Sequence, residues 1–183
     1  MSAEDRENIS LGVVIERREI DNPWEDYSWA PVAVIEGAPE MDPSSEWLEL
    51  RREDDWVHYH AGTLTLELYP GETEGYRVNL ANEIPFIYIV LTPGEEEGDP
   101  EVIPFLATAC PYEAESYTED TDQIVEGIAM SPEMAAWVQD FIDKHHVEAT
   151  FNKRKQKKAY DPRKGSLRDQ IRPRVQPHKG TRQ

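Results

Sequence analysis

Residues 63–69, Thr-Leu-Thr-Leu-Glu-Leu-Tyr, alternate without a break. In an extended chain successive side chains point to opposite faces, so Leu64, Leu66 and Leu68 share one face and Thr63, Thr65, Glu67 and Tyr69 the other. One face is apolar and one is wet, the pattern of an antiparallel sheet covered on a single side.

Working outward, WLEL from Trp47 and WVHYH from Trp56 precede this stretch, and GYRVNL (75–80) and PFIYIVL (85–91) follow it, with breaks at Pro70-Gly71 and Pro93-Gly94. Further strands are expected over Leu11 to Ile20, Trp29 to Ile35, Val102 to Ala109 and Gln123 to Ala129. Short strands at this spacing predict an α+β fold, mostly β: an antiparallel sandwich or small barrel of about eight strands. The charged run EEEGDPE after Gly94 and an acidic stretch from Tyr112 to Asp122 read as loops.

One helix is expected to close the body. Ser131 is a good N-cap, Pro132 suits the first helical position, and Glu133 complements the positive end of the dipole. Met134, Trp137, Val138, Phe141, Ile142 and His145 then fall on one face, so the amphipathic helix runs over about 131–146.

Charge divides the chain. Residues 1–150 hold seven Lys and Arg against 35 Asp and Glu, whereas residues 151–183 hold twelve against two. The acidic, strand-rich domain is therefore placed at 9–150 and a basic tail at 151–183, where Pro and Gly interrupt a sequence with no apolar period and disorder is expected. The cations at its start are Lys153, Arg154, Lys155, Lys157 and Lys158.

Little in the chain points to catalysis. The single cysteine, Cys110, cannot form an internal disulfide and has no CxxC or Cys/His cluster around it. His58 and His60, two apart in WVHYH, would share a strand face with Trp56, but no third ligand with supporting spacing accompanies them. The histidines read as partly exposed, and His145 and His146 as groups capping the end of the helix. Acidic pairs recur so often that none singles itself out, and phosphate-loop, nucleophile-elbow and zinc-protease motifs are absent. No catalytic residue, metal or cofactor is expected.

The first ten residues carry no apolar run, and no stretch approaches the ~20 apolar residues of a membrane span. A cytoplasmic protein is the expectation. The most distinctive surface feature is the loop Asn22-Pro23-Trp24-Glu25-Asp26-Tyr27-Ser28-Trp29, whose Trp24, Tyr27 and Trp29 can anchor a partner as interface aromatics do.

The stretch GVVIERREIDNPWEDYSWAPVAVIEGAP, together with SPEMAAWVQDFIDKHHVEATFNKRKQKKA, resembles the bacterial domain-of-unknown-function family numbered 3305, over roughly residues 11–158. Its most specific parts are the Asn22-Pro23-Trp24 turn and the junction ending in Phe151, Lys153, Arg154 and Lys155. Members tend to be encoded beside respiratory formate dehydrogenase components and molybdoenzyme chaperones. The resemblance thus implies a non-catalytic accessory or adaptor protein that assists maturation or assembly of such an enzyme through a protein partner, a molybdoenzyme subunit or chaperone. The alternative expectation is a nucleic-acid-associated regulator acting through the basic tail.

Overall fold

Leu11, Val13 and Ile15 are wholly buried, and the strand that carries them is the spine of the molecule. The computed structural model describes residues 5–147. The end of the expected domain, 148–150, and the whole tail with Lys153, Arg154, Lys155, Lys157 and Lys158 lie outside the described residues.

Strand β1 (Glu7–Glu19) pairs antiparallel with β2 (Tyr27–Glu36) on one side and β4 (Trp56–Leu68) on the other, and β3 (Leu48–Arg52) adds to β4. A second antiparallel sheet sets β5 (Phe86–Pro93) between β6 (Val102–Thr108) and β7 (Ile124–Ala129). The orders are β2-β1-β4-β3 and β6-β5-β7, so the fold is α+β, mostly β, and the closed barrel is not formed. Ile87, Ile89 and Leu91 of β5 join Leu11, Val13 and Ile15 of β1 in one buried cluster, so both sheets share a core. Each such side chain contributes about 1.5–3 kcal/mol by leaving water.

Seven strands form among the described residues, fewer than the segments read from the sequence. WVHYH and TLTLELY are one strand, joined through Gly62, whose φ of +135° suits glycine and where Pro43 lies 2.5 Å from where a Cβ would stand. The other loss is GYRVNL. Its residues belong to helix α1 (Thr73–Leu80), whose buried face is Thr73, Gly75, Tyr76 and Asn79. Half of that face is polar, so a helical period was hidden behind the alternation of Tyr76, Val78 and Leu80.

Asn79 explains why a polar residue can sit there. Its amide donates to the carbonyls of Phe86 (2.7 Å) and Ala109 (2.8 Å), and its carbonyl accepts from the Phe86 N–H (3.0 Å). A fully buried side chain thereby satisfies backbone groups at the ends of two β-segments. The stretch after Cys110, expected to be loop, likewise begins with helix α2 (Pro111–Tyr117), for which Pro111 supplies the N1 position.

Helix α3 (Pro132–His145) starts at Ser131, whose hydroxyl accepts the Met134 N–H, and buries Met134, Val138, Phe141 and Ile142. The Trp137 indole and the Lys144 ammonium both donate to Glu7, at 2.8 and 3.0 Å, which ties the helix to the first residue of β1. At its end Arg77 donates to His146 Nε2 (2.8 Å), so the ring proton sits on Nδ1 and reaches Thr73 Oγ1 (3.0 Å). Among the described residues no helix is long and apolar enough to cross a membrane.

Candidate partner-docking groove

The turn between β1 and β2 is held by its own polar groups. Ile20 N–H donates to the Asp26 carbonyl (3.1 Å), and Asn22 Oδ1 accepts the Trp24 N–H (2.9 Å). This Asx turn presents Trp24 to solvent, and its side chain is 89% exposed.

Tyr27 and Trp29 lie two apart on β2, on the same face, with ring centroids 6.3 Å apart. Both are half-buried. Trp29 meets Trp47 edge-on at 5.6 Å, and the Arg17 guanidinium lies 4.4 Å over the Tyr27 ring. The Trp29 indole donates to Glu101 Oε2 (2.7 Å), which fastens the loop between β5 and β6 against β2. Trp29 is thus chiefly a structural anchor, whereas the Trp24 ring meets no other ring and no cation among the described residues.

All three aromatics line one groove of about 670 Å³, whose far wall is Pro93, Glu101 and Val102 with Thr121, Asp122 and Ile124. A neighbouring depression of about 680 Å³ shares Pro93 and Asp122 and adds Ile103 and Phe105 of β6. Between them the two hollows present Glu25, Asp26, Glu95, Glu96, Asp99, Glu101, Asp120 and Asp122, and no Lys, Arg or His. Among the described residues none of these carboxylates is in an ion pair.

Sequence reasoning found the aromatic wall and missed the acidic one. EEEGDPE and the stretch ending at Asp122 read as separate charged loops. They meet the Trp24 loop only because β5 is central in the second sheet and its loop is bonded to β2, facts of strand order that no local pattern encodes. The remaining candidates, Lys153, Arg154, Lys155, Lys157 and Lys158, fall outside the described residues.

The histidines of β4 do not converge. His58 Nε2 lies 2.9 Å from Glu16 Oε2 and its ring stacks 4.1 Å from Trp56. Burial pushes the Glu16 carboxyl up, but the hydrogen bonds from His58 and Arg18 outweigh it and hold the group below the usual range. His60, expected to be partly exposed, is only 7% exposed: its Nε2 lies against Gly12 of β1, 2.8 Å from where a Cβ would stand. Among the described residues no three His, Cys, Asp or Glu side chains are grouped to hold a metal.

Cys110 is buried, and burial pushes its thiol up, against the hydrogen bonds from Glu113 and Tyr112 backbone that lower it. The thiolate needed for nucleophilic chemistry is therefore disfavoured. Burial also raises the neighbouring Tyr76 hydroxyl and Glu72 carboxyl. The Tyr76 hydroxyl accepts the Tyr69 N–H (3.0 Å) and donates to Glu72 (2.8 Å), a closed arrangement that joins α1 to β4.

No curated protein and no solved structure matches the chain. Residues 10–155, a span that includes both walls of the groove, match the family described as protein of unknown function (DUF3305), and the chain belongs to that family.

Proposed function

We propose that this protein is a non-catalytic cytoplasmic accessory protein that docks a protein partner in the groove between the Trp24 loop and the two acidic loops. The observation that carries the reading is the pairing of an exposed tryptophan with a continuous hollow beside it. Interfaces concentrate their binding energy in such aromatic anchors seated next to polar rims. The gene neighbourhood expected from the family resemblance makes assembly or maturation of a respiratory molybdoenzyme, such as formate dehydrogenase, the proposed task.

A photo-crosslinking residue at position 24, expressed in the native host, tests this. The expected result is one dominant adduct containing a molybdoenzyme subunit or its chaperone, lost when the probe is moved to exposed position 49 on β3. Adducts of equal diversity at both positions would remove the docking role.

Twelve Lys and Arg in residues 151–183 support the second reading, a nucleic-acid-associated regulator. That reading requires salt-sensitive binding of DNA or RNA by the full chain, abolished by reversing the charge of Lys153, Arg154, Lys155, Lys157 and Lys158.

A further inference from the structure

The two hollows present eight carboxylates and no Lys, Arg or His. Their carboxylates include Glu95, Glu96, Asp99, Asp120 and Asp122 on the two loops, and Gln123 beside them carries a sheltered Oε1 with no hydrogen-bond partner among the described residues. A ligand suited to these walls must bring donors and positive charge. An apolar peptide would leave the carboxylates desolvated without compensation, and an acidic one would be repelled.

The aromatic wall narrows the choice among cations. A guanidinium is planar, weakly hydrated and stacks on rings, whereas an ammonium is a compact, strongly hydrated charge. The molecule already uses this chemistry: Arg17 lies 4.4 Å over Tyr27 and Arg51 lies 5.4 Å over Trp56. Trp24, 89% exposed at the mouth of the groove, has no such cation among the described residues and is the free platform.

Size narrows it further. The two hollows, about 670 and 680 Å³, share Pro93 and Asp122 in their walls, so together they exceed one small-molecule site and leave room for a peptide segment. Resting on the docking role above, we infer that the segment held in this groove is an arginine-bearing stretch of the partner protein. One guanidinium stacks on Trp24, and the following cations lie along Asp122, Asp120 and the Glu95-Glu96 pair.

The test uses the full chain and short fluorescein-labelled peptides alternating Arg and Gly, with Lys-for-Arg and Glu-for-Arg counterparts, read by fluorescence anisotropy. The Arg peptide is expected to bind, the Lys peptide about threefold or more weakly, and the Glu peptide not at all. Raising salt from ~50 to ~300 mM should weaken the Arg complex about tenfold. Trp24→Ala should cost about fivefold in affinity by removing the stacking surface. The combined Glu95→Gln, Glu96→Gln and Asp122→Asn variant should cost about tenfold or more, and Glu49→Gln on β3 should change nothing.

Several outcomes overturn the inference. Unchanged Arg-peptide affinity in the Trp24 and triple variants would place binding elsewhere. Spermine matching the peptide in affinity would make this a polyamine site. A tenfold gain in peptide affinity on charge reversal of Lys153, Arg154 and Lys155 would make the chain's own basic stretch the occupant. Failure of every peptide, with a single adduct still captured at position 24, would remove the arginine assignment and leave the docking role standing; failure of both would remove both.

Discussion

The Glu7 end of β1 and the groove walls handle polarity in opposite ways, while the Glu19 end of the strand is itself ion-paired through Arg18 with Glu16 and Asp55. At the Glu7 end the polar groups are paired within the fold: Glu7 with Trp137 and Lys144, Asn79 with Phe86 and Ala109, Tyr76 with Glu72 and Tyr69, and His146 with Thr73 and Arg77. Beyond the Glu19 end the groove carboxylates lack ion-pair partners among the described residues, although cations were available in the body. Its seven Lys and Arg are all engaged otherwise: Arg6 over Tyr69, Arg17 over the groove's own Tyr27 but in no ion pair, and Arg18, Arg51, Arg52, Arg77 and Lys144 in ion pairs with other carboxylates. Polar groups consumed internally hold the fold together. In the groove, Glu101, Asp99 and Asp120 each accept one hydrogen bond from the fold, and the carboxylates of Glu25, Asp26, Glu95, Glu96 and Asp122, without a partner among the described residues, are available to something outside it.

The strongest way to break this comparison is at Asn79. Asn79→Leu keeps the volume but strands the Phe86 N–H and two carbonyls in a buried place, each unmet group costing about 1–3 kcal/mol. Urea denaturation should show a loss of roughly 3 kcal/mol or more with little change in slope. A variant as stable as the parent would mean that the polar groups at this end are not what joins α1 to the second sheet.

A smaller effect is expected from acid. The hydrogen bond from Lys144 is the main cause holding the Glu7 carboxyl below the usual range, with the Trp137 indole adding to it, and burial opposing both. Glu16 is also lowered, by His58 and Arg18 against the upward pull of burial. For a lowered carboxylate the folded value lies beneath the unfolded one, so its stabilisation is complete above about pH 4.3 and is lost as pH falls through the folded value. Glu72, raised by burial, runs the other way: its contribution is present at low pH and fades as pH climbs through its folded value. Glu7→Gln should flatten the acid limb of a stability–pH curve, and Glu72→Gln should lift its neutral side. An unaltered acid limb in Glu7→Gln would show that the tie between α3 and β1 is not electrostatic.

Much of this architecture was legible beforehand. Strong alternation at Leu64, Leu66 and Leu68 and the 3.6-residue period from Met134 to Ile142 are local signals that burial reinforces. The helix around Tyr76 and Asn79 was not legible, because its buried face is half polar and an asparagine counts as core only once the carbonyls it meets are known. The groove was half legible: Trp24, Tyr27 and Trp29 stand together in sequence, but Glu95, Asp120 and Asp122 reach them only through sheet order. His60 was misjudged because its ring lies against Gly12, on the neighbouring strand β1, which the pattern along β4 alone does not reveal.

The smallest effect has the most informative sign. If the groove carboxylates are kept for an external ligand, their mutual repulsion is a cost to the free protein, and removing charge should stabilise it. Glu95→Gln and Asp122→Asn replace exposed carboxylates by amides of the same shape, so packing and loop geometry are retained. Each should raise the unfolding free energy by a few tenths of a kcal/mol at low salt, since exposed charge interactions are individually weak, and the gain should vanish near 1 M salt, where the Debye length is ~3 Å. The same substitutions should weaken ligand binding, so stability and affinity move in opposite directions in the groove, whereas at the Glu7 end they carry only the stability term. A loss of stability in both variants would mean that these carboxylates are already satisfied within the molecule, and the contrast between the two regions would disappear.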